Sequence, residues 1–347
     1  MRYIIITGVA VILALIVVFF YFQQSQQLNK PTFQEVTRES IIYEEDGDAY
    51  VKSQILLTSL PDVKYAKIKI LVWQMGGKIV GYLPETDDYQ IQMKMDKSKK
   101  ELEKIIDKLN HNGSIKSASL HTVISGSVSG WIEDSEKMPK DNWKSQWNLE
   151  PDSMDNNWWA EAIGMPYVWM VGDKIKYQKV KVGLLDEFFD EEQEDLKSKI
   201  EKTYCNQDWK DHNYEHGTHV AGILAAEKNN GKGIAGVADN ARLYCYSKKG
   251  DSKTEEFTTI MEEKYQFATL MNQGVKVINY SWGNDNMAAK AAFGDSSGTF
   301  KKELDELGVI MRDFFQKYIE KGTEFLIVQS AGNAANYLWE ECSEEDT

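Results

Sequence analysis

The chain has 347 residues, long enough for two domains of ordinary size. Its 42% hydrophobic and 27% charged residues, with ten tryptophans that need burial, fit a folded globular protein and argue against disorder. A formal net charge of -14 repels phosphate backbones and weighs against nucleic-acid binding.

Tyr3 to Phe22 is a run of 20 residues without a charge, preceded by Arg2. As a helix it would span about 30 Å, the thickness of a bilayer core. A cleaved signal peptide would have a shorter apolar stretch and a small-x-small cleavage site. Here Val17-Val18-Phe19-Phe20-Tyr21-Phe22 leads directly into Gln23-Gln24-Ser25. An uncleaved anchor over residues 1–24 is therefore expected. Arg2 and the α-amino group favour the N-terminus inside, which makes a single-pass cell-membrane protein with its bulk extracytoplasmic.

Residues 25–47 are polar and patternless and read as a linker. A first domain is expected over 48–125. Tyr50 to Leu57 and Lys78 to Leu83 are strand-like, and Tyr89 to Met95 alternates apolar and polar residues with period two. Ser98 followed by Glu101 has the pattern of a capping box, with Leu102, Ile105, Ile106 and Leu109 at helical spacing behind it. Ile115 to Val123 is a further strand. Val63 to Gln74 suits a helix or a strand; as a helix it completes a βαββαβ order, a ferredoxin-like unit.

Residues 126–154, rich in Ser, Gly, Asp and Lys, read as a second linker. Over 155–347 apolar strands alternate with helices. Val180–Leu185, Arg242–Tyr246, Val275–Tyr280 and Glu324–Gln329 are strands; His216–Ala226, Thr254–Asn272 and Lys301–Lys321 are helical. This alternation implies a parallel sheet with helices on both faces and a site at the carboxyl ends of its strands. Cys205, Cys245 and Cys342 show no CxxC spacing; a Cys205–Cys245 bridge is open, but scattered thiols more often act as small buried apolar residues.

Three strand ends carry chemistry. Asp186 follows Val-Gly-Leu-Leu, His216 opens His-Gly-Thr-His-Val-Ala-Gly, and Asn333 closes Ser-Ala-Gly-Asn. A serine hydrolase needs a carboxylate to orient an imidazole, that imidazole to take the serine proton, and a donor for the oxyanion. Asp186, His216 and Asn333 fit three of these four roles.

The segment His216–Gly222 resembles the histidine motif of the subtilisin-like serine peptidases, the subtilases. Val182–Asp186 resembles their aspartate motif, Val277–Gly283 their substrate strand, and Ser330–Asn333 their oxyanion asparagine. The Asp-then-His order agrees with that family. The resemblance implies a three-layer α/β catalytic domain with charge-relay Asp186, general base His216 and oxyanion donor Asn333. It also implies that Ser281, Trp282 and Gly283 bind an extended polypeptide substrate. Gly233–Ala238 resembles the loop after the family's histidine helix. The family binds structural calcium in many members, but no site can be placed here, and no other cofactor is expected.

Two departures stand out. Glu187-Phe188 follows the aspartate where the family usually has a small hydroxyl residue and glycine, which affects the hydrogen bonding and the negative field around Asp186. The family's nucleophile lies in a Gly-Thr-Ser-x-Ala motif well downstream of the asparagine. No Gly-Thr-Ser occurs in the chain, which ends at Thr347. The expectation is a truncated product or incomplete gene, its sheet incomplete and inactive alone.

Other motifs have simpler readings. Gly294-Asp-Ser-Ser-Gly298 resembles a chymotrypsin-type serine motif, but the α/β pattern contradicts that fold and leaves Ser296 in a surface loop. His212, His216 and His219 have zinc-compatible spacing without a completing carboxylate. The acidic stretch Asp186 to Asp195 reads as a solvated loop. Upstream of a subtilase, the ferredoxin-like unit resembles the family's propeptide domains, with a permanent spacer as the simpler alternative. The function expected is a membrane-anchored serine endopeptidase of polypeptides; the alternative is a tethered, non-catalytic peptide-binding pseudopeptidase.

Overall fold

The computed structural model describes residues 30–44, 49–125, 163–165, 168–169, 178–204, 216–228, 230–238, 240–247, 257–281 and 299–330. The expected anchor Tyr3–Phe22, the linker 126–154, and His212, Trp282, Gly283, Ser296 and Asn333 lie outside them. Among the described residues no helix is long and apolar enough to cross a membrane.

In chain order the elements are β1 (Ile41–Tyr43), β2 (Ala49–Ser59), α1 (Tyr65–Gln74), β3 (Gly77–Leu83), β4 (Asp88–Met93), α2 (Lys99–Asn110), β5 (Ile115–Ser125), β6 (Val180–Asp186), β7 (Ile200–Tyr204), α3 (His216–Ala225), β8 (Ala241–Ser247), β9 (Phe257–Thr259), α4 (Ile260–Asn272), β10 (Val277–Tyr280), α5 (Thr299–Glu320) and β11 (Leu326–Gln329). They form two compact units. The first holds the chain up to Val123 with Thr259–Thr269 and Asp313–Lys321; the second holds Ile124–Thr258, Leu270–Arg312 and Gly322–Thr347.

In the first unit β2-α1-β3-β4-α2-β5 is a βαββαβ run whose strands lie in the order β3-β4-β2-β5, with β1 on β2 and β9 at the β5 edge. The ambiguous segment is a helix. Ile68 and Val72, four residues apart, are both buried, so packing overrides the strand preference of its β-branched residues. Gly77 follows directly, where a Cβ would lie 3.0 Å from Ile91 Cγ2. At α2 the expected capping pair forms: Ser98 N–H donates to Glu101 Oε2 at 3.0 Å. Tyr50, Ile55, Leu57, Tyr89 and Ile91 from one sheet face pack with Ile68, Val72 and Leu102. Each large side chain buried in this way contributes about 1.5–3 kcal/mol of gross stabilisation.

The opposite face of β2, β4 and β5 is mostly polar, with Leu56 among the exceptions. Gln54, Asp88, Gln90 and His121 are buried all the same. They form a network: Gln90 Nε2 donates to Gln54 Oε1 at 3.1 Å, Gln54 Nε2 donates to Gln92 Oε1 at 2.9 Å, and His121 Nδ1 lies 2.7 Å from Gln54 Oε1. The N-terminal segment adds to it, because Gln34 N–H donates to Gln90 Oε1 at 2.9 Å.

In the second unit five parallel strands lie in the order β11-β10-β6-β8-β7. From β6 the chain reaches β8 on one side and then β10 on the other, so β6 is the point where the strand order reverses. Helix α3 packs on β6 and β8. Its small Ala221 and Ala225 meet Leu184, Phe189, Leu196 and Leu243 in one core. Gly183 admits α4 close to the sheet: a Cβ there would lie 2.9 Å from Leu270 Cδ1.

Two local expectations change. Helix α4 begins at Ile260 rather than Thr254, because the aromatic Phe257 and the β-branched Thr258 and Thr259 favour a strand and form β9, and Thr259 Oγ1 then accepts from Glu262 N–H at 3.2 Å. The stretch Asp186 to Asp195 is not a uniformly solvated loop: Asp186, Glu187, Phe189 and Asp195 are buried. Asp195 is anchored by Asn230 Nδ2 at 2.5 Å and Ile234 N–H at 2.9 Å.

Candidate active site

Strand β6 ends at Asp186, a buried residue. Parallel pairing sets Asp186 opposite Ser247 of β8, and Leu185 opposite Tyr280 of β10. Ser281 therefore follows at the same sheet edge as Asp186. Ser330, past the end of β11, donates its N–H to Tyr280 O at 3.1 Å.

His216 is the first residue of α3, and its Nδ1 lies 2.7 Å from Asp186 Oδ1. A carboxylate accepts only, so Nδ1 carries the proton and Nε2 keeps the lone pair a base needs. The His216 side chain is 44% exposed while that of Asp186 is 2% exposed, so a buried anion holds an imidazole that solvent and substrate reach. Asp186 Oδ1 also accepts the Glu187 N–H at 2.8 Å. Its Oδ2 is buried with no hydrogen-bond partner among the described residues.

The turn after Asp186 is tied to α3. A Cβ on Gly217 would lie 2.6 Å from Phe188 O and 3.2 Å from Asp186 Cβ, so only glycine lets the helix start this close to the strand end. Thr218 Oγ1 accepts Asp190 N–H at 2.9 Å, and the buried Ser247 hydroxyl donates to Glu187 O. Sequence reasoning missed Ser247 as a support, because only strand register brings it beside Asp186. Cys245 is free and buried in β8, where burial pushes its thiol pKa well up and leaves it a poor nucleophile. Among the described residues no group of three or more His, Cys, Asp or Glu side chains is arranged to hold a metal ion.

Of the six residues singled out from sequence, Asp186 and His216 are brought into contact, and Ser281 lies at the adjoining strand end, its Oγ accepting from Asn279 Nδ2 at 2.8 Å. Residues 177–345 match the model of the Subtilase family. This segment carries a subtilase-family domain. Asp186, His216 and Ser281 all fall within the subtilase domain. The chain is 35% identical over 125 residues to the thermophilic serine proteinase of Bacillus sp. (strain AK1), a match covering 34% of this chain and 29% of that protein. It is 41% identical over 91 residues to the major intracellular serine protease of Bacillus subtilis, covering 24% and 27%. The crystal structure of fervidolysin from Fervidobacterium pennivorans has the same fold with a TM-score of 0.54 and 22% identity, over 86% of this chain and 43% of that one. These three matches each span less than half of the relative's length.

Proposed function

We propose that this chain serves a subtilisin-like serine endopeptidase acting by acyl transfer. The observation that carries the reading is the 2.7 Å contact of His216 Nδ1 with buried Asp186 at the carboxyl edge of β6. Asp186 holds the imidazole with its Nε2 lone pair available and balances the charge that forms on it. His216 takes the proton of a serine hydroxyl as that oxygen attacks a peptide carbonyl, then returns it to the leaving amine. Asn333 and a main-chain N–H hold the oxyanion, and Ser281, Trp282 and Gly283 pair with an extended polypeptide. The nucleophile is a serine in a Gly-Thr-Ser context, which is not among these 347 residues.

Two parts of the reading concern the rest of the chain. The uncharged run Tyr3–Phe22 anchors the protein in the cell membrane with the subtilase domain outside. The βαββαβ module is propeptide-like. Its polar second face supports this, since a face of Gln54, Asp88, Gln90 and His121 tolerates water far better than an apolar one, as a separable module requires.

The alternative reading is a tethered, non-catalytic pseudopeptidase that binds peptides along the strand at Tyr280–Gly283. Fluorophosphonate labelling separates the two. The purified 347-residue chain is expected to give none, and covalent labelling of it would refute that assignment. If the coding DNA beyond codon 347 supplies a Gly-Thr-Ser-x-Ala frame, the joined product should label and lose labelling on His216→Ala; unrelated sequence there supports the pseudopeptidase.

A further inference from the structure

Helix α1 buries Ile68 and Val72 against the sheet and carries a second apolar strip on its outer side. There Ile70 is 58% exposed and Trp73 66% exposed. Ala66, Ile70 and Trp73 recur at steps of four and three, so they share one face. Lys67, three residues before Ile70, borders the strip on one side, and Lys69, four before Trp73, borders it on the other. The other helix of the module is built differently: α2 turns Leu102 and Leu109 inward and sets Glu101, Glu103 and Asp107 among its lysines.

The charge of this region departs from that of the chain. The whole chain carries -14, yet Val63 to Pro84 holds Lys64, Lys67, Lys69 and Lys78 with no aspartate or glutamate. All four lysines are exposed, and Asp62 stands just before the stretch. Past the end of α1, Lys94 N–H donates to Gly76 O at 2.9 Å, which brings exposed Lys94 and Met95 to the same end of the helix. An exposed tryptophan and aliphatic side chains bordered by lysines suit a helix lying in the plane of a bilayer surface. The apolar groups enter the headgroup layer, and the ammonium groups meet lipid phosphates.

The course of the chain places this face near a membrane. The ring of Tyr82 in β3 lies 5.1 Å from that of Tyr65 at the start of α1. The same Tyr82 exchanges main-chain hydrogen bonds with Thr32 at 2.8 and 2.9 Å. The N-terminal segment thus joins the module beside α1. Phe22, which closes the uncharged run, lies ten residues before Thr32, so full extension separates the two by at most about 36 Å. We propose that α1 docks on an anionic phospholipid surface, with Ile70 and Trp73 in the headgroup layer and Lys67 and Lys69 on lipid phosphates. The inference rests on the anchor reading above for what brings the module to a membrane.

The full 347-residue chain, reconstituted into vesicles whose lipids carry bromine on their acyl chains, tests it through quenching of nearby tryptophan. One set of vesicles is phosphatidylcholine alone, the other has phosphatidylserine added. The part of the quenching that Trp73→Gln removes reports α1, and it should be large with phosphatidylserine and small without it. Each lysine at an anionic surface contributes about fivefold to the binding equilibrium, so Lys67→Gln/Lys69→Gln should weaken docking about 30-fold and return quenching to the phosphatidylcholine level. These variants change only exposed side chains, and hydrogen exchange at Ile68 and Val72 should stay as in the wild type. Quenching that Trp73→Gln leaves unchanged overturns the proposal, and is the outcome expected if this face takes a protein instead. Equal quenching in the two lipids overturns recognition of anionic headgroups. Carbonate extraction reads the anchor separately. A chain washed off the vesicles refutes the anchor, and flotation of that chain with phosphatidylserine vesicles then decides the docking: binding lost in the lysine variant supports it, and no binding overturns it.

Discussion

The main-chain carbonyl of Phe188 and the α-carbon of Gly217 approach so closely that a Cβ on the glycine would lie 2.6 Å from the oxygen. This contact seats the start of α3 against the turn after Asp186, and with it the imidazole of His216. Gly217→Ala must push the helix start away. We expect a loss of about 1–3 kcal/mol in stability of the second unit. The downfield Nδ1 proton resonance of His216, produced by its bond to Asp186, should weaken or vanish. An unchanged resonance would show that the close approach does not position His216.

Asp186→Asn tests what the carboxylate does for the imidazole. A carboxylate can only accept, whereas an asparagine amide also donates and so permits the other ring tautomer. Ring nitrogen NMR shifts should report mainly Nδ1-protonated imidazole in the wild-type chain and a clear rise of the Nε2-protonated form in the variant. Identical spectra would mean that Asp186 does not select the tautomer.

Leu184 is fully buried in β6, two residues before Asp186, and packs in the core that also holds Ala221 and Ala225 of α3. Leu184→Ala should cost about 2–5 kcal/mol, the spread depending on how far the cavity collapses. Urea unfolding followed by hydrogen exchange in β6 measures it, and a cost below about 1 kcal/mol would count against a rigid core under the site.

His121 makes the first unit sensitive to acid. Burial drives its pKa down to about 3 from the ordinary 6.5. The unfolded chain takes up a proton that the folded chain refuses, so this contribution is complete above pH about 6.5 and is lost as pH falls toward about 3. The slope should reach about 1.4 kcal/mol per pH unit. Urea midpoints followed by exchange in β5 should show this slope, and His121→Gln should flatten it. Equal slopes in the two proteins would remove His121 as the cause.

Much of the layout was legible residue by residue. The alternation of Tyr89, Ile91 and Met93 marked a strand with one buried face, and Ser98 with Glu101 marked a helix start, because both signals are local. Val63–Gln74 stayed ambiguous because its β-branched residues suit both periodicities; burial of Ile68 and Val72 against the sheet decided it. The Thr254 start of α4 misread the Phe257-Thr258-Thr259 run, whose strand state depends on a partner from β5. The acidic look of Asp186 to Asp195 hid Phe189, whose burial depends on α3 packing over it.

The sequence by itself determined which residues to look at, because a histidine motif seven residues long and an aspartate after an apolar strand are local patterns tied to a backbone conformation. It also determined the order of the elements. Only the tertiary structure decided which side chains meet. Asp186 and His216 are 30 residues apart in sequence and 2.7 Å apart in space, and Asp88 finds Lys264 across a far longer loop. Such pairs depend on strand register and helix docking, which arise from burial summed over the whole unit. No short stretch of sequence contains that sum.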